Sequence, residues 1–173
     1  FLNDEIARQN SEYADYCERS REYSGVTTGP ELVAAMVAND DYRPSPCLYL
    51  LRRSLVEDEG ISFHPAVIHE DNGFTFGAYM SARHAAHVKE PLYLRFMRDN
   101  SIMTKPKSFA NAYGYYMCGI DMMRTLGDSA SDLTFEAFQS ALSLVYGVQR
   151  AARHTYFSLP WYAKGALLAM PNA

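Results

Sequence analysis

Two long stretches of helical apolar spacing occupy the C-terminal part of the chain and constrain its fold more than any other feature. Residues 109–126 and 134–154 repeat apolar side chains at the interval of an α-helix, and such helices bury their apolar sides mainly against other elements. The side chains expected on the buried side of the first helix are Phe109, Tyr113, Tyr116, Met117, Ile120 and Met123. Those expected on the second are Phe135, Phe138, Leu142, Val145 and Val148.

Shorter helices are predicted elsewhere in the chain. Thr28 and Glu31 have the spacing of a capping box, with Pro30 in the first turn, so a helix is expected to follow as far as Ala38. The remaining predicted helices cover residues 4–22, 48–59, 72–82 and 161–170. Gly60 is placed to end the helix over 48–59.

Strand signals are short and lie in the middle of the chain. We predict strands at residues 61–63, 86–89 and 92–97, the last because apolar and polar side chains alternate there. The predicted fold class is therefore α+β, mostly helical with a small mixed sheet. We expect a single domain over residues 1–173 with a helical tail over residues 132–173.

The composition of the chain argues against several classes of function. The net charge of −4 argues against a dedicated nucleic-acid binder, and no apolar run approaches the ~20 residues of a membrane-spanning helix. The three cysteines, Cys17, Cys47 and Cys118, form no C-x-x-C pair, which is typical of reduced thiols in a cytoplasmic protein. The pair His84 and His87 has no further metal ligands close in sequence, so structural histidines are expected.

Charge is distributed unevenly along the chain. Residues 1–60 carry twelve acidic and six basic side chains, whereas residues 61–173 carry eight acidic and ten basic ones. Six of those ten bases lie between Arg83 and Lys107. A basic stretch in an acidic protein is a candidate site for phosphate or diphosphate, and the alternative is a solvated face.

The sequence His69-Glu70-Asp71 is the sharpest local feature. It follows an apolar segment and precedes a predicted buried helix, a junction that can hold a carboxylate at the edge of a cleft. A carboxylate in that place can accept a proton from a sugar hydroxyl as it attacks. The alternative is structural, with Asp71 as the helix N-cap and Glu70 as a nearby acid.

A second candidate site follows the last predicted strand. The stretch from Arg98 to Lys105 places two cations, an amide and hydroxyl groups on one loop, through Asn100, Ser101 and Thr104. Such groups can hold a diphosphate by charge-assisted hydrogen bonds, and the alternative is an ordinary polar loop.

These features occur in an ordered series. The series resembles the C-terminal half of bacterial family 2 glycosyltransferases, inverting enzymes that build capsular and other surface polysaccharides. The resemblance covers roughly residues 25–115 and is carried by Gly60-Ile61-Ser62-Phe63, His69-Glu70-Asp71-Asn72-Gly73-Phe74, Ala82-Arg83, Pro91-Leu92-Tyr93 and Arg98-x-Asn100-Ser101-Ile102-Met103-Thr104.

The resemblance implies an A-type glycosyltransferase fold and a role for this chain on the acceptor side. Asp71 would be the general base with Glu70 beside it, and His69, Arg98, Asn100 and Ser101 would contact substrate. The partners implied are a nucleotide-sugar donor and a glycan or lipid-linked acceptor, with no nucleic acid. The implied location is cytoplasmic, with peripheral contact at the inner face of the plasma membrane left open.

The sequence lacks the family's nucleotide-binding half and its D-x-D motif. No metal ligands are therefore assigned in this chain, and the divalent ion of the family, Mn²⁺ or Mg²⁺, is expected only in a longer enzyme. We expect this part of the chain to be inactive alone, because it lacks the means to hold a metal–diphosphate. The alternative function is a helical module for protein or membrane docking, through Tyr156, Phe157, Trp161, Tyr162 and Ala166-Leu167-Leu168.

Overall fold

The protein is α+β and mostly helical, as the sequence predicts. A computed structural model describes residues 19–90, 92–95 and 105–164, together with the two-residue strand Leu2–Asn3. The helices are α1 (Gly29–Ala38), α2 (Arg53–Asp58), α3 (Asp71–Ser81), α4 (Phe109–Ser129), α5 (Phe135–Ser158) and α6 (Trp161–Lys164). Two 3₁₀ turns lie at Pro46–Leu48 and Ala130–Asp132.

Local capping determines where two of the core helices begin. The Thr28 hydroxyl accepts from the Glu31 backbone N–H, and the Glu31 carboxylate accepts from the Thr28 backbone N–H, which confirms the predicted capping box of α1. Thr134 caps α5 in the same way, because its hydroxyl accepts from the Ala137 backbone N–H at 3.2 Å.

The core lies where four helices meet. Helix α4 packs along α5 and against α3, and α1 packs across α5 and α3. The buried side chains that form this core are Leu32, Val33, Met36, Phe76, Met80, Met122, Leu126, Ala141 and Val145. Helix α5 contributes Ala141 and Val145 to this core. Residues 135–158 therefore share one core with the other described helices.

The packed side of α4 differs in part from the predicted one and combines small residues with Phe109, Met122 and Leu126. Tyr116 and Met123 are about half exposed, so the face predicted for this helix was partly wrong. The buried side instead includes Ala112, Gly114 and Cys118. Small residues allow the backbones of neighbouring segments to approach closely, which a hydropathy pattern does not register.

The strands are shorter than predicted and form two separate pairs. Strand β2 (Val26–Thr27) pairs antiparallel with β3 (Ala85–Ala86), with Val26 opposite Ala86. Strand β1 (Leu2–Asn3) pairs parallel with β4 (Leu94–Arg95). The two strands predicted over 86–97 therefore pair with distant segments and not with each other.

Two predicted elements between α1 and α3 are wrong. The helix predicted over residues 48–59 is confined to Arg53–Asp58, because Pro46 starts a 3₁₀ turn and the chain is extended at Tyr49. Residues 61–63, predicted as a strand, are irregular and pair with no strand in the part of the chain that the structure describes. Gly60 does end α2, in a left-handed conformation with a φ of 62°.

A buried carboxylate attaches the segment after residue 19 to the core. Asp41 is 2 % exposed and accepts hydrogen bonds from the Ser20 backbone and hydroxyl, the Arg21 backbone and the Tyr23 hydroxyl. Burial opposes ionisation of Asp41, but these hydrogen bonds outweigh it and lower the pKa. Asp41 therefore has a structural role.

Two glycines of α4 provide a test of the close approach between this helix and the chain before α3. A Cβ at Gly114 would collide with the Ile68 carbonyl, whereas a Cβ at Gly127 would meet nothing. Gly114→Ala should therefore lower the free energy of unfolding by roughly 2 kcal/mol or more. Gly127→Ala should raise it by roughly 0.5–1 kcal/mol, since alanine stabilises an open helical position.

Urea denaturation of the two variants and the parent measures both effects. Equal changes in the two variants would mean that the Ile68 segment does not pack tightly on α4.

Candidate functional site

Asp71 lies in the first turn of α3. The helix begins at Asp71 itself, and the preceding Glu70 has αR dihedral angles and makes no side-chain capping hydrogen bond. The structural alternative, in which Asp71 is the N-cap residue, does not describe this helix start. The Asp71 carboxylate accepts from the Asn72 side-chain amide at 3.0 Å and from the backbone N–H groups of Asn72 and of Asp71 itself.

The residue before Glu70 is held in an unusual backbone conformation. His69 has a φ of 70°, a left-handed value that non-glycine residues rarely adopt. Its carbonyl accepts hydrogen bonds from the Asn72 side chain at 3.0 Å and from the Cys118 thiol at 3.2 Å. Burial raises the pKa of Cys118 to about 11, so the thiol keeps the proton that it donates. These contacts fix the direction in which the chain enters α3.

The His69 ring is also held in place. It stacks on Tyr115 with ring centroids 3.7 Å apart, and its Nε2 lies 3.1 Å from the Asn111 side-chain nitrogen. Asn111 uses its amide oxygen to accept from the Ser108 backbone, so its NH₂ group donates to Nε2 and the proton is on Nδ1. These contacts hold the His69 ring against α4, and the contact of His69 with substrate that the resemblance implies stays a prediction.

At this turn, burial and nearby charges shift the pKa values of His69 and Asp71 in opposite directions. Burial, assisted by the positive charge of Lys107, lowers the pKa of His69 to about 4. Burial, assisted by the negative charge of Glu70, raises the pKa of Asp71 to about 6. At neutral pH the imidazole is neutral, and Asp71 is an ionised carboxylate with unusual affinity for a proton.

Tyrosines surround the side of α3 that carries Asp71. Asp71, Thr75 and Tyr79 are spaced along one face of the helix, and the Tyr49 hydroxyl lies 2.7 Å from the Thr75 hydroxyl. Tyr42 packs against Tyr79 with ring centroids 6.1 Å apart. We call Tyr42, Tyr49, Thr75 and Tyr79 the tyrosine cluster.

The tyrosine cluster contains a polar atom without a partner. Within the described part of the chain, the Tyr42 hydroxyl is buried and makes no hydrogen bond. Burial raises the pKa of both Tyr42 and Tyr49, with smaller contributions from neighbouring tyrosines and from Asp71.

The other side of α3 faces a separate cleft of about 820 Å³. In this cleft the His64 Nδ1 lies 2.7 Å from an Asp121 carboxylate oxygen, and Arg124 lies 3.6 Å from the other oxygen. Phe63, stacked on Phe74 at 4.0 Å, forms an apolar part of the wall. Asp71 is not among the residues that line this cleft or a second cavity of about 690 Å³.

The sequence did not reveal the pairing of His64 with Asp121. The two residues are 57 positions apart, and no local motif marks Asp121. Only the packing of α4 against the segment before α3 brings them together.

The structure brings together three of the six predicted site residues. His69, Glu70 and Asp71 lie on one turn, whereas Arg98, Asn100 and Ser101 lie outside the described residues. His87 accepts a hydrogen bond from the Tyr23 backbone at 3.2 Å, in agreement with a structural role.

The described residues do not form a metal site. Among them, no group of three or more His, Cys, Asp or Glu side chains is arranged to hold a metal ion.

Comparison of the chain with protein-family models, with curated proteins and with solved structures finds no match. The likeness to glycosyltransferases therefore rests on the motif residues themselves. Within the described part of the chain, no helix is both long enough and apolar enough to cross a membrane.

The environment of Asp71 leads to a prediction about stability. The folded pKa of about 6 lies above the ordinary aspartate value of 3.8, so ionisation of Asp71 disfavours the folded state at pH values above 6. Asp71→Asn should raise the free energy of unfolding at pH 7.5 by about 1–2 kcal/mol, a value discounted for partial exposure. The gain should shrink as the pH falls from about 6 towards 4.

Denaturant titrations of the parent and the Asp71→Asn variant at several pH values measure this difference in the free energy of unfolding. His69 is present in both proteins, so the effect of its own titration cancels. A loss of stability at pH 7.5 would instead identify Asp71 as a stabilising first-turn acid of α3.

Proposed function

We propose that this chain is the acceptor-binding part of a glycosyltransferase and that Asp71 is its general base. The observation that carries the proposal is the partly buried Asp71 carboxyl, whose pKa is raised to about 6 on a turn held by fixed contacts. A general base works best when its pKa lies near the working pH. The ordered motif series from Gly60 to Thr104 supplies the reaction class.

In the proposed reaction, Asp71 accepts the proton of an acceptor hydroxyl as that oxygen attacks the anomeric carbon of the donor sugar. A glycosidic C–O bond forms, and the bond from the anomeric carbon to the diphosphate oxygen breaks with its electron pair. Attack opposite the leaving group inverts the anomeric centre. Glu70 keeps the Asp71 proton affinity high through its negative charge.

The surroundings of Asp71 suit a polyhydroxylated acceptor. Tyr49 and Tyr79 line the cavity of about 690 Å³ and offer aromatic rings for the apolar face of a sugar.

The donor side of the proposal rests on the resemblance alone. Arg98, Asn100 and Ser101 would contact the diphosphate or the acceptor, and a divalent ion would be held by a nucleotide-binding region of a longer enzyme. The proposed location is the cytoplasm, where nucleotide-sugars are the donors for surface polysaccharides.

A matched pair of substitutions tests the base. Asp71→Asn should lower the rate of sugar transfer by on the order of 10² or more, because the amide cannot accept the proton. Glu136→Gln is the control, since Glu136 is an exposed first-turn acid of α5 that also interacts with a helix N-terminus. Transfer is measured with the longest polypeptide encoded with this sequence, using radiolabelled nucleotide-sugars and mixed glycan acceptors.

The pH profile gives a second readout. The rate in the parent protein should rise as pH increases through about 6, where Asp71 loses its proton. Near-normal turnover of the Asp71→Asn variant would remove Asp71 from the mechanism. A similar loss in both variants would show that the effect comes from the helix and not from proton transfer.

A further inference from the structure

One end of the helical core presents exposed aromatic rings. Phe157 is 64 % exposed, Trp161 is 83 % exposed and Tyr162 is 69 % exposed. Single exposed aromatic residues are ordinary on a protein surface, but three within six positions form a patch that the core does not use. Tyr156, by contrast, packs inward against Phe109 with ring centroids 6.4 Å apart.

The two segments that form this end are basic in a protein that is acidic overall, while Glu70 and Asp71 follow His69, which contacts Asn111 at the start of α4. Residues 105–120 and 145–164 contain five lysines and arginines and no aspartate or glutamate, whereas the whole chain has a net charge of −4. The contact between Phe109 and Tyr156 places the beginning of α4 beside the end of α5. Lys105 and Lys107 are therefore on the same end of the helix pair as Arg153 and Lys164. We call these cations and the three exposed rings the basic aromatic end.

Cations and rings alternate within the basic aromatic end. The Arg153 guanidinium lies 5.8 Å from the centre of the Phe157 ring, and the Lys164 ammonium lies 5.7 Å from the same ring. The Lys164 ammonium also donates to the Phe157 carbonyl at 3.0 Å. These contacts hold the positive charges beside the aromatic rings. A single flat surface can therefore contact both the cations and the rings.

The opposite end of α5 has the reverse character. Phe135 is 76 % exposed there, but its neighbours include Glu136, Asp132 and Asp128. Exposed aromatic surface thus occurs at both ends of the helix, and only one end combines it with positive charge.

We propose that the basic aromatic end docks on the surface of an anionic lipid bilayer. Trp and Tyr rings favour the headgroup region of a membrane, because one part of each ring is apolar and the other is polar. Lysine and arginine side chains are attracted by anionic lipids and keep their charges at the headgroup level. The positive charge of the basic aromatic end is complementary to the negative charge of such a bilayer. The docking does not depend on the proposed sugar transfer.

Trp161 provides a direct reporter, because it is the only tryptophan in the chain. The protein is mixed with phosphatidylcholine vesicles that contain about 30 % phosphatidylserine, and with vesicles of phosphatidylcholine alone. We expect a blue shift of tryptophan emission, and quenching by lipids brominated near the headgroup, only with the anionic vesicles. The binding should weaken strongly in about 0.5 M salt, which screens the charges.

Vesicle co-sedimentation then tests the residues. Trp161→Ala and the pair Arg153→Gln with Lys164→Gln should each lower the partition coefficient by on the order of tenfold. Phe135→Ala is the matched control, since it removes an equally exposed aromatic ring from the acidic end of the same helix. Circular dichroism confirms that the variants keep their helices.

The proposal is overturned if the emission of Trp161 is the same with and without anionic vesicles. It is also overturned if Phe135→Ala weakens binding as much as Trp161→Ala does. Binding to single-stranded DNA or to an acidic peptide that is tighter than binding to the vesicles would assign this end to a different partner.

Discussion

The close contact between α4 and the chain segment before α3 is the constraint on which the candidate site depends. Gly114 leaves room for the Ile68 carbonyl, and Cys118 and Asn111 hold the main chain and ring of His69. A left-handed residue is costly by itself, so it persists only where its surroundings enforce it. This contact sets the start of α3 and thereby the position of Asp71.

The same contact accounts for the opposite behaviour of two adjacent ionisable groups. Removing water from the turn disfavours both the imidazolium of His69 and the carboxylate of Asp71. Between pH 4 and pH 6 the two groups affect stability in opposite directions. Acidification lowers the free energy of unfolding through His69 and raises it through Asp71.

The polar features of the molecule are separated by its helices. Helix α3 carries the Asp71 turn and the tyrosine cluster on one side, and the His64–Asp121 pair lies in a cleft on the other. The basic aromatic end is where the beginning of α4 lies beside the end of α5, close enough for Lys107 to influence His69. Docking through that end would therefore hold the Asp71 turn near a surface.

Sequence alone determined the local features: the α+β class, the capping box at Thr28 and the position of α3, because each depends on neighbouring residues. Tertiary structure decided the packed face of α4, the pairing of β2 with β3, the His64–Asp121 pair and the contacts of His69 with α4. Those depend on contacts between residues tens of positions apart. Hydropathy favours large side chains for a core, whereas close packing of backbones selects small ones, and only the assembled helices show which applies.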